Sequence, residues 1–582
     1  MGEVRVLALS RRSSARPFAE YLGEILAAEG LLCVERSDRL DDLECYSAVV
    51  AYAELSEGEW EALKAYVEGG GRLVFIRPPP SRAELFGLRP LGARLSDVRP
   101  APKYLRVDSS RLLGGLADRA VQVPSDGDLY EVVDGEVVAR ISLSLRGEGA
   151  YPAIVVRRVG DGLAAAYTYD LVEAVVTLRQ GRRELAGVDA DGSGVVKPND
   201  MFIGLLDPRL RWVPQADVHM RTLSRLLERV LGPSKPLPRL WYFPEGSECV
   251  VVMTGDSDVM TEEDLKRLLS ILSEYGAHYT LYVRAEEHGV VPSGSVGELR
   301  TRGLSLGPHT FPGFAPSPEE ARRAVSEQVR RHCEAYGGGL THRGHCTVWV
   351  GWVEMAKILE ECGVKMDLSY YPYRYFQCGY LNGSGLPMRF IDERGEMVDV
   401  YEQSTHWADD VALVDKTFVD PYDLSELIED AVRTIEESRR LYHTALTFCI
   451  HPVNMRPDVL NSAVWLRAVL SYCRSEGIPV LSADEWLEFN ERRRRVRAVS
   501  YSVSSSELRL VLEAEEPVKG VAVAFPVRGS SVASVAVDGG EASYAVKELL
   551  GSEYLVVVLD ISRRAAIRVG LRRLTDRRTA PH

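Results

Sequence analysis

The sequence predicts an α/β chain in three segments: a doubly wound domain over residues 1–231, a (β/α) barrel over 241–490 and an all-β sandwich over 498–575. Three observations predict it. Strand-sized apolar runs alternate with helical periodicity in the first eighty residues. The same alternation returns over a barrel-sized stretch after the proline-rich segment GPSKPLPRL (232–240), and helical periodicity disappears beyond Arg497. At 582 residues the chain is several times longer than one hydrophobic core requires, which agrees with several folding units.

In the first segment VRVLALS (4–10) reads as a buried strand, followed by a helix over 17–29 that stops at Gly30. SAVVAYA (47–53) is a second strand. Ser56 and Glu59 then form a capping box that opens an amphipathic helix, closed by Gly69, Gly70 and Gly71. RLVFI (72–76) makes a third strand, the pattern of a doubly wound parallel sheet. From 95 to 170 the runs shorten between Gly and Asp turns, a β-rich elaboration of the same domain. In the second segment strands are expected at 249–254, 278–284, 304–307, 398–401, 445–450 and 478–481, separated by helical stretches such as TEEDLKRLLSILSEYG. Beyond the basic run Arg492 to Arg495, read as a solvated linker, short alternating strands at even spacing predict the sandwich.

Composition excludes several classes. A net charge of −14 lacks the basic face that nucleic acid or anionic lipid requires. The apolar run in MGEVRVLALSRRSS is too short for a secretory signal and no stretch is long enough to span a bilayer, so a cytoplasmic protein is expected. Nine cysteines without a CxxC pair suit buried free thiols rather than a disulfide framework.

Ten of the eleven histidines lie between His219 and His451, which directs attention to the second segment. Four features stand at its expected strand ends: TGDSD (254–258), HTFPG (309–313), THRGH (341–345) and ALTFCIH (445–451). Acidic residues and imidazoles meeting at the carboxyl rim of a barrel suit a divalent metal and acid–base chemistry.

In order and spacing these motifs resemble those of the polysaccharide deacetylases, the NodB-like carbohydrate esterases, over roughly residues 240–490. The resemblance implies a deacetylase-like barrel that hydrolyses the N-acetyl group of a sugar or glycan with a divalent metal, zinc by preference. It implies Asp256 as general base, Arg343 as its orienter, His451 as general acid and His309 as a metal ligand. The chain departs from the family at Ser257, which replaces its second aspartate, at Gly313, which replaces its second histidine, and at His345, which replaces a proline. Asp258 is the expected substitute carboxylate, and His345 or His406 the third ligand. Tyr371 and Trp407, in an aromatic neighbourhood that includes Tyr370 to Phe376, are the expected sugar-stacking residues. Two alternatives stay open: a degenerate barrel that binds carbohydrate without turnover, and a glycosidase that pairs Asp256 and Asp258 with Asp409 or Asp410.

The first segment resembles the glutamine amidotransferase-like domains, in the pattern SAVVAYAELSEGEWEALKAYVEGGGRLVFI (47–76), without their Gly-x-Cys-x-Gly nucleophile elbow. Finally, residues 189–200 carry most of a calcium-loop pattern, but Asp200 stands where a glutamate normally closes the loop and Pro198 opposes an exiting helix, so a polar turn is expected.

Overall fold

The computed structural model describes residues 2–98, 102–108, 110–116, 119–284, 290–372, 378–414, 421–527 and 529–573. They form two compact units. One comprises Met1–Glu173, His219–Gly246 and Glu491–His582; the other comprises Ala174–Val218 and Ser247–Asn490.

In the first unit the strands Val34–Ser37, Val6–Ser10, Ala48–Tyr52, Arg72–Ile76 and Gly162–Tyr167 are parallel neighbours in that order. Four antiparallel strands, beginning with Gly149–Val159, continue the sheet, so the β-rich stretch extends the parallel part. The capping box forms as expected: Ser56 receives the Glu59 amide, and Glu59 returns to the Ser56 amide at 2.8 Å. The helix Glu57–Glu68 then buries Trp60, Leu63 and Val67, with Trp60 stacked on Phe75 at 4.8 Å.

The same unit holds two antiparallel sheets built mainly from residues after 495, joined by packing of Tyr501 against Phe525 at 6.4 Å. Two expected linkers are part of this structure. Arg239 and Leu240 pair with Ala524 and Val523 as an edge strand, and the Tyr501 hydroxyl donates to the Pro236 carbonyl at 2.7 Å. The basic run is the end of the helix Ala483–Arg494, and Arg493 is only 3% exposed. Proline and arginine composition mimics a solvated connector, but these residues find backbone partners that composition does not disclose. A buried ionic cluster of Glu29, Arg225, Glu228 and Arg239, with Tyr554 accepting from Arg225 and donating to Glu228, ties the last strands to the helix Gln215–Leu231 within this unit.

The second unit is built on a ten-stranded sheet. Its strands Val250–Asp256, Tyr279–Val283, Leu304–Thr310, Thr341–Gly344, Met366–Asp367 and Met397–Glu402 run parallel in sequence order. Ala445–Cys449 and Trp407–Ala408 continue on the other side of the first. The sheet curls into a half-barrel. Amphipathic helices cover it; Glu262–Tyr275, for example, is capped by Thr261 and Asp264 and buries Leu265, Leu268 and Leu272.

Residues 174–218, expected within the N-terminal domain, group with this sheet. Arg179 pairs with Glu402 at 2.7 Å with both side chains nearly inaccessible, Gln180 exchanges two hydrogen bonds with Ile391, and Asp217 accepts from Ser384 and Gly385. Polar groups this deeply buried require partners, and theirs are supplied by the half-barrel. Among the described residues no helix is long and apolar enough to cross a membrane.

Candidate active site

The half-barrel brings its chemistry to the carboxyl ends of its parallel strands, where strand register aligns residues distant in sequence. His309 stands opposite Arg343 in the pairing of Leu304–Thr310 with Thr341–Gly344, and Thr254 stands opposite Cys449 in the pairing of Val250–Asp256 with Ala445–Cys449. Asp256, Arg343 and His451 therefore line one cavity of about 250 Å³, with His309 3.7 Å from Asp256.

Arg343, 3% exposed, organises its centre. Its Nη1 donates to Asp256 Oδ1 at 3.0 Å, and its Nη2 donates to the hydroxyls of Thr254 at 2.7 Å and Thr405 at 2.9 Å. Asp256 Oδ2 lies 3.7 Å from His309 Nε2 and 3.8 Å from His451 Nε2. Burial pushes the Asp256 carboxyl up, but its neighbours His309, Arg343 and His451 outweigh it and hold the group below the usual carboxylate range.

His451 donates Nδ1–H to Asp409 Oδ1 at 2.7 Å, and Asp409 Oδ2 accepts the His451 backbone amide at 3.0 Å. Burial opposes the imidazolium, yet Asp409 and Asp410 raise its pKa well above the ordinary value. With both Asp409 oxygens engaged by His451, that carboxylate is not free to act as half of a glycosidase pair.

Three residues form a candidate metal centre beside Asp256: the donor atoms of Asp258, His309 and His345 lie within 4.8 Å of one another. His309 donates Nδ1–H to the Arg343 carbonyl at 2.9 Å, which leaves its Nε2 lone pair facing Asp258 at 3.7 Å. His345 Nδ1 lies 3.3 Å from His309 Nε2 and 3.2 Å from Asp258 Oδ1. Its position follows from the backbone, which turns through two non-glycine residues in the left-handed region, Cys346 (φ 54°) and Thr347 (φ 53°). Burial disfavours protonation of His345, but Asp258 and Cys346 raise its pKa to about 10. Two imidazoles and a carboxylate are the donor set of a catalytic transition-metal site, so these residues fit a divalent metal. A second triplet, Asp256, Cys449 and His451, fits less well because burial pushes the Cys449 thiol well up, away from the thiolate that a metal binds.

The structure separates the remaining expected site residues. His406 is buried, donates Nε2–H to the Ser384 carbonyl at 3.1 Å and accepts the Thr447 amide on Nδ1 at 3.0 Å. Both nitrogens being engaged by backbone, it is no metal ligand. Burial lowers its pKa to about 4 against the hydrogen bond to Ser384. The folded state thus binds a proton less readily than the unfolded chain: the stability His406 contributes is complete above pH 6.5 and is lost as the pH falls toward 4, at most about 3 kcal/mol. Urea unfolding at a series of pH values is expected to show this loss, and the slope is expected to flatten in His406→Gln, whose amide can keep both hydrogen bonds without titrating.

Trp407 is wholly buried, stacked on Trp212 at 5.2 Å and Phe448 at 6.1 Å, so it belongs to the core and not to a sugar platform. Tyr371 does line the cavity, and burial together with Asp410 raises its phenol well above the ordinary value. Tyr373 to Phe376 lie outside the described residues.

Sequence patterns do not disclose Thr254 and Thr405, which receive the second arm of Arg343, or the role of Asp409; Thr405 and Asp409 flank His406 and Trp407 in the segment EQSTHWADD (402–410). Nor do they disclose Ser193, Val195 and Lys197, which line the cavity from residues 174–218. They belong to the calcium-like loop. There Asp200 accepts the amides of Ala190, Asp191 and Lys197, Asp189 accepts those of Ser193 and Gly194, and the Lys197 ammonium lies 3.0 Å from Asp191. The loop thus carries its own cation.

No family model matches the chain, and no curated protein matches it. Among solved structures, the carbohydrate deacetylase Agd3 aligns with 98% of this chain and 99% of its own, at 12% identity and a TM-score of 0.44. A protein from Mycobacterium smegmatis described as a polysaccharide deacetylase aligns over 43% of this chain and 92% of its own, at 17% identity and a TM-score of 0.35. A CE4 family pseudoenzyme from Bacillus anthracis aligns over 41% of this chain and 65% of its own, at 12% identity and a TM-score of 0.25. At these scores the likenesses carry no chemical argument, which rests on the side chains above.

Proposed function

We propose that this chain is a metal-dependent hydrolase that removes the acetyl group from the nitrogen of an N-acetylated sugar or glycan. The observation that carries the reading is the pairing of a base and an acid across one cavity: Asp256 clamped by Arg343, and His451 backed by Asp409, with the Asp258–His309–His345 triplet beside them. The substrate class is supported by the motif order in the sequence, and the metal by the donor set.

In this reading Asp258, His309 and His345 hold the metal, zinc being the first candidate. When bound there, a divalent cation supplies polarisation of the acyl oxygen and a lowered pKa for water. The protein groups do the rest. Asp256, kept ionised, takes a proton from water as its oxygen bonds to the acyl carbon, and Arg343 holds the carboxylate in place with two-point support from Thr254 and Thr405. As the carbon–nitrogen bond breaks, His451 Nε2 gives its proton to the departing amine, and Asp409 retains the opposite edge of the ring. Tyr371 offers a cavity wall for the sugar.

Elemental analysis of the full-length protein is expected to find about one transition metal per chain, strongly reduced in His309→Ala and His345→Ala and retained in His406→Gln. Acetate release from N-acetylated oligosaccharides is expected only from the metal-loaded protein. A folded, metal-free protein that binds such glycans without releasing acetate would overturn the hydrolase in favour of a binding role, the reading that Gly313 in place of the family's histidine supports.

A further inference from the structure

The arginine run that reads as a linker lines a second cavity, in the first unit. This cavity, of about 570 Å³, is formed where residues 3–36 meet residues 493–501. Its wall carries five arginines, Arg5, Arg36, Arg493, Arg494 and Arg497, against two carboxylates, Glu3 and Glu35. That balance is opposite in sign to the whole chain, whose net charge is −14.

Three of the five are paired: Arg5 with Glu35 at 2.6 Å, Arg494 with Glu24 at 2.6 Å and Arg497 with Glu513 at 2.7 Å. The other two have no ion-pair partner among the described residues. Arg493 is buried, and its Nε and Nη2 donate only to the carbonyls of Trp241, Ala28 and Leu240 at 2.7–3.3 Å. Its Nη1 has no hydrogen-bond partner among the described residues. The nearby Glu29 carboxylate receives Ser224, Arg239 and Tyr242 on Oε2 alone; its charge favours the Arg493 cation from beyond ion-pair distance.

The backbone makes room for both guanidinium groups. Gly23, inside the helix Tyr21–Ala28, lies under Arg36: a Cβ there would stand 2.6 Å from both Cδ and Nη1 of that side chain. Gly30 (φ 70°) lies against the Leu240 carbonyl, 2.1 Å from where a Cβ would stand, and beside Arg493, whose Nη2 would be 2.6 Å from it. Gly23 thus leaves room for Arg36, and Gly30 for the Leu240 carbonyl and Arg493, the two arginines of the wall without an ion-pair partner among the described residues. Arg36 is exposed, but Arg493 is buried, and burying a charge without an ion-pair partner is costly; a ligand that brings a counter-charge relieves that cost. Burial and the neighbouring charge of Arg494 both work against the Arg493 cation, lowering its pKa to about 9.

We infer that this cavity is a binding site for a tetrahedral oxyanion, the phosphate or sulfate group of a small molecule, held between Arg36 and Arg493. Planar guanidinium forks match such oxygens two at a time, and the cavity has the volume of an ordinary small-molecule site, with Leu26, Leu31 and Val499 offering apolar contact to the remainder of the ligand.

The test is calorimetric titration of the full-length protein with inorganic phosphate and, separately, with sodium sulfate, at ionic strength held constant with chloride. Saturable binding with a dissociation constant of about 1 mM is expected for at least one of them, and the pair distinguishes a phosphate site from a sulfate site. Arg36→Ala, at an exposed position, is expected to weaken binding about tenfold, and Gly23→Ala to weaken it by displacing the same guanidinium. No saturable heat up to about 20 mM of either anion, or unchanged affinity in a folded Arg36→Ala protein, overturns the site. Because both variants lie outside the half-barrel, acetate release is not the readout.

Discussion

Replacing Asp256 by asparagine is expected to lower acetate release about 1,000-fold while metal content and unfolding midpoint stay near those of the parent protein. The amide keeps an oxygen for Arg343 Nη1 and nearly the same volume, but it cannot accept the proton of an attacking water. Measuring kcat and metal stoichiometry on the same preparation separates loss of the base from loss of the metal. Activity within tenfold of the parent would transfer the role to another carboxylate of the cavity, Asp258 or Asp410. The pH profile carries a second signature of the same pair. The acid must be protonated to act, and Asp409 and Asp410 hold the His451 pKa well above that of a free imidazole. The alkaline limb of kcat is therefore expected above the value for an unperturbed histidine, about 6.5, and Asp409→Asn is expected to move it down.

Replacing Arg343 by methionine is expected to cost about 3–5 kcal/mol of stability as well as most of the activity. The guanidinium is almost inaccessible, bonds to Asp256, Thr254, Thr405 and the Leu368 carbonyl, and packs 4.9 Å above the Tyr282 ring. Methionine restores the apolar stem and leaves the Asp256 carboxylate buried beside two hydroxyls that have lost their donor. Urea unfolding of the single variants and of the double variant with Asp256→Asn checks the cause. If the uncompensated carboxylate is responsible, the double variant recovers part of the loss, whereas simple additivity would place the cost in packing. Lysine is not expected to rescue the site, since one ammonium cannot serve Asp256, Thr254 and Thr405 in the geometry of a planar fork.

Much of the architecture is legible along the chain because its signals are local. The runs at 4–10, 47–53 and 72–76 become strands almost at the expected limits, and the box at Ser56 and Glu59 starts its helix where it should. The strand ends that carry Asp256, His309 and His451 are legible for the same reason, since an apolar run that stops at a polar residue marks the rim of a parallel sheet, whereas Thr341–Gly344, which carries Arg343, follows a glycine-rich stretch and has no such run. His345 and His406 look equivalent in sequence, each an imidazole near a strand end. Register and backbone turn decide between them: Cys346 and Thr347 bring the first to His309, while Ser384 and Thr447 enclose the second.

The sequence by itself determined the alternation of strands and helices, the acidic balance and the order in which the reactive side chains arrive, because periodicity, capping and composition are properties of neighbours. The tertiary structure alone decided that Trp407 fills a core, that Ser193, Val195 and Lys197 line the half-barrel cavity, that Asp409 backs His451 and that Arg36 and Arg493 share a cavity with the N-terminal strand and helix. Those outcomes depend on burial and on partners tens to hundreds of residues away, which meet only when sheet register and packing bring them together.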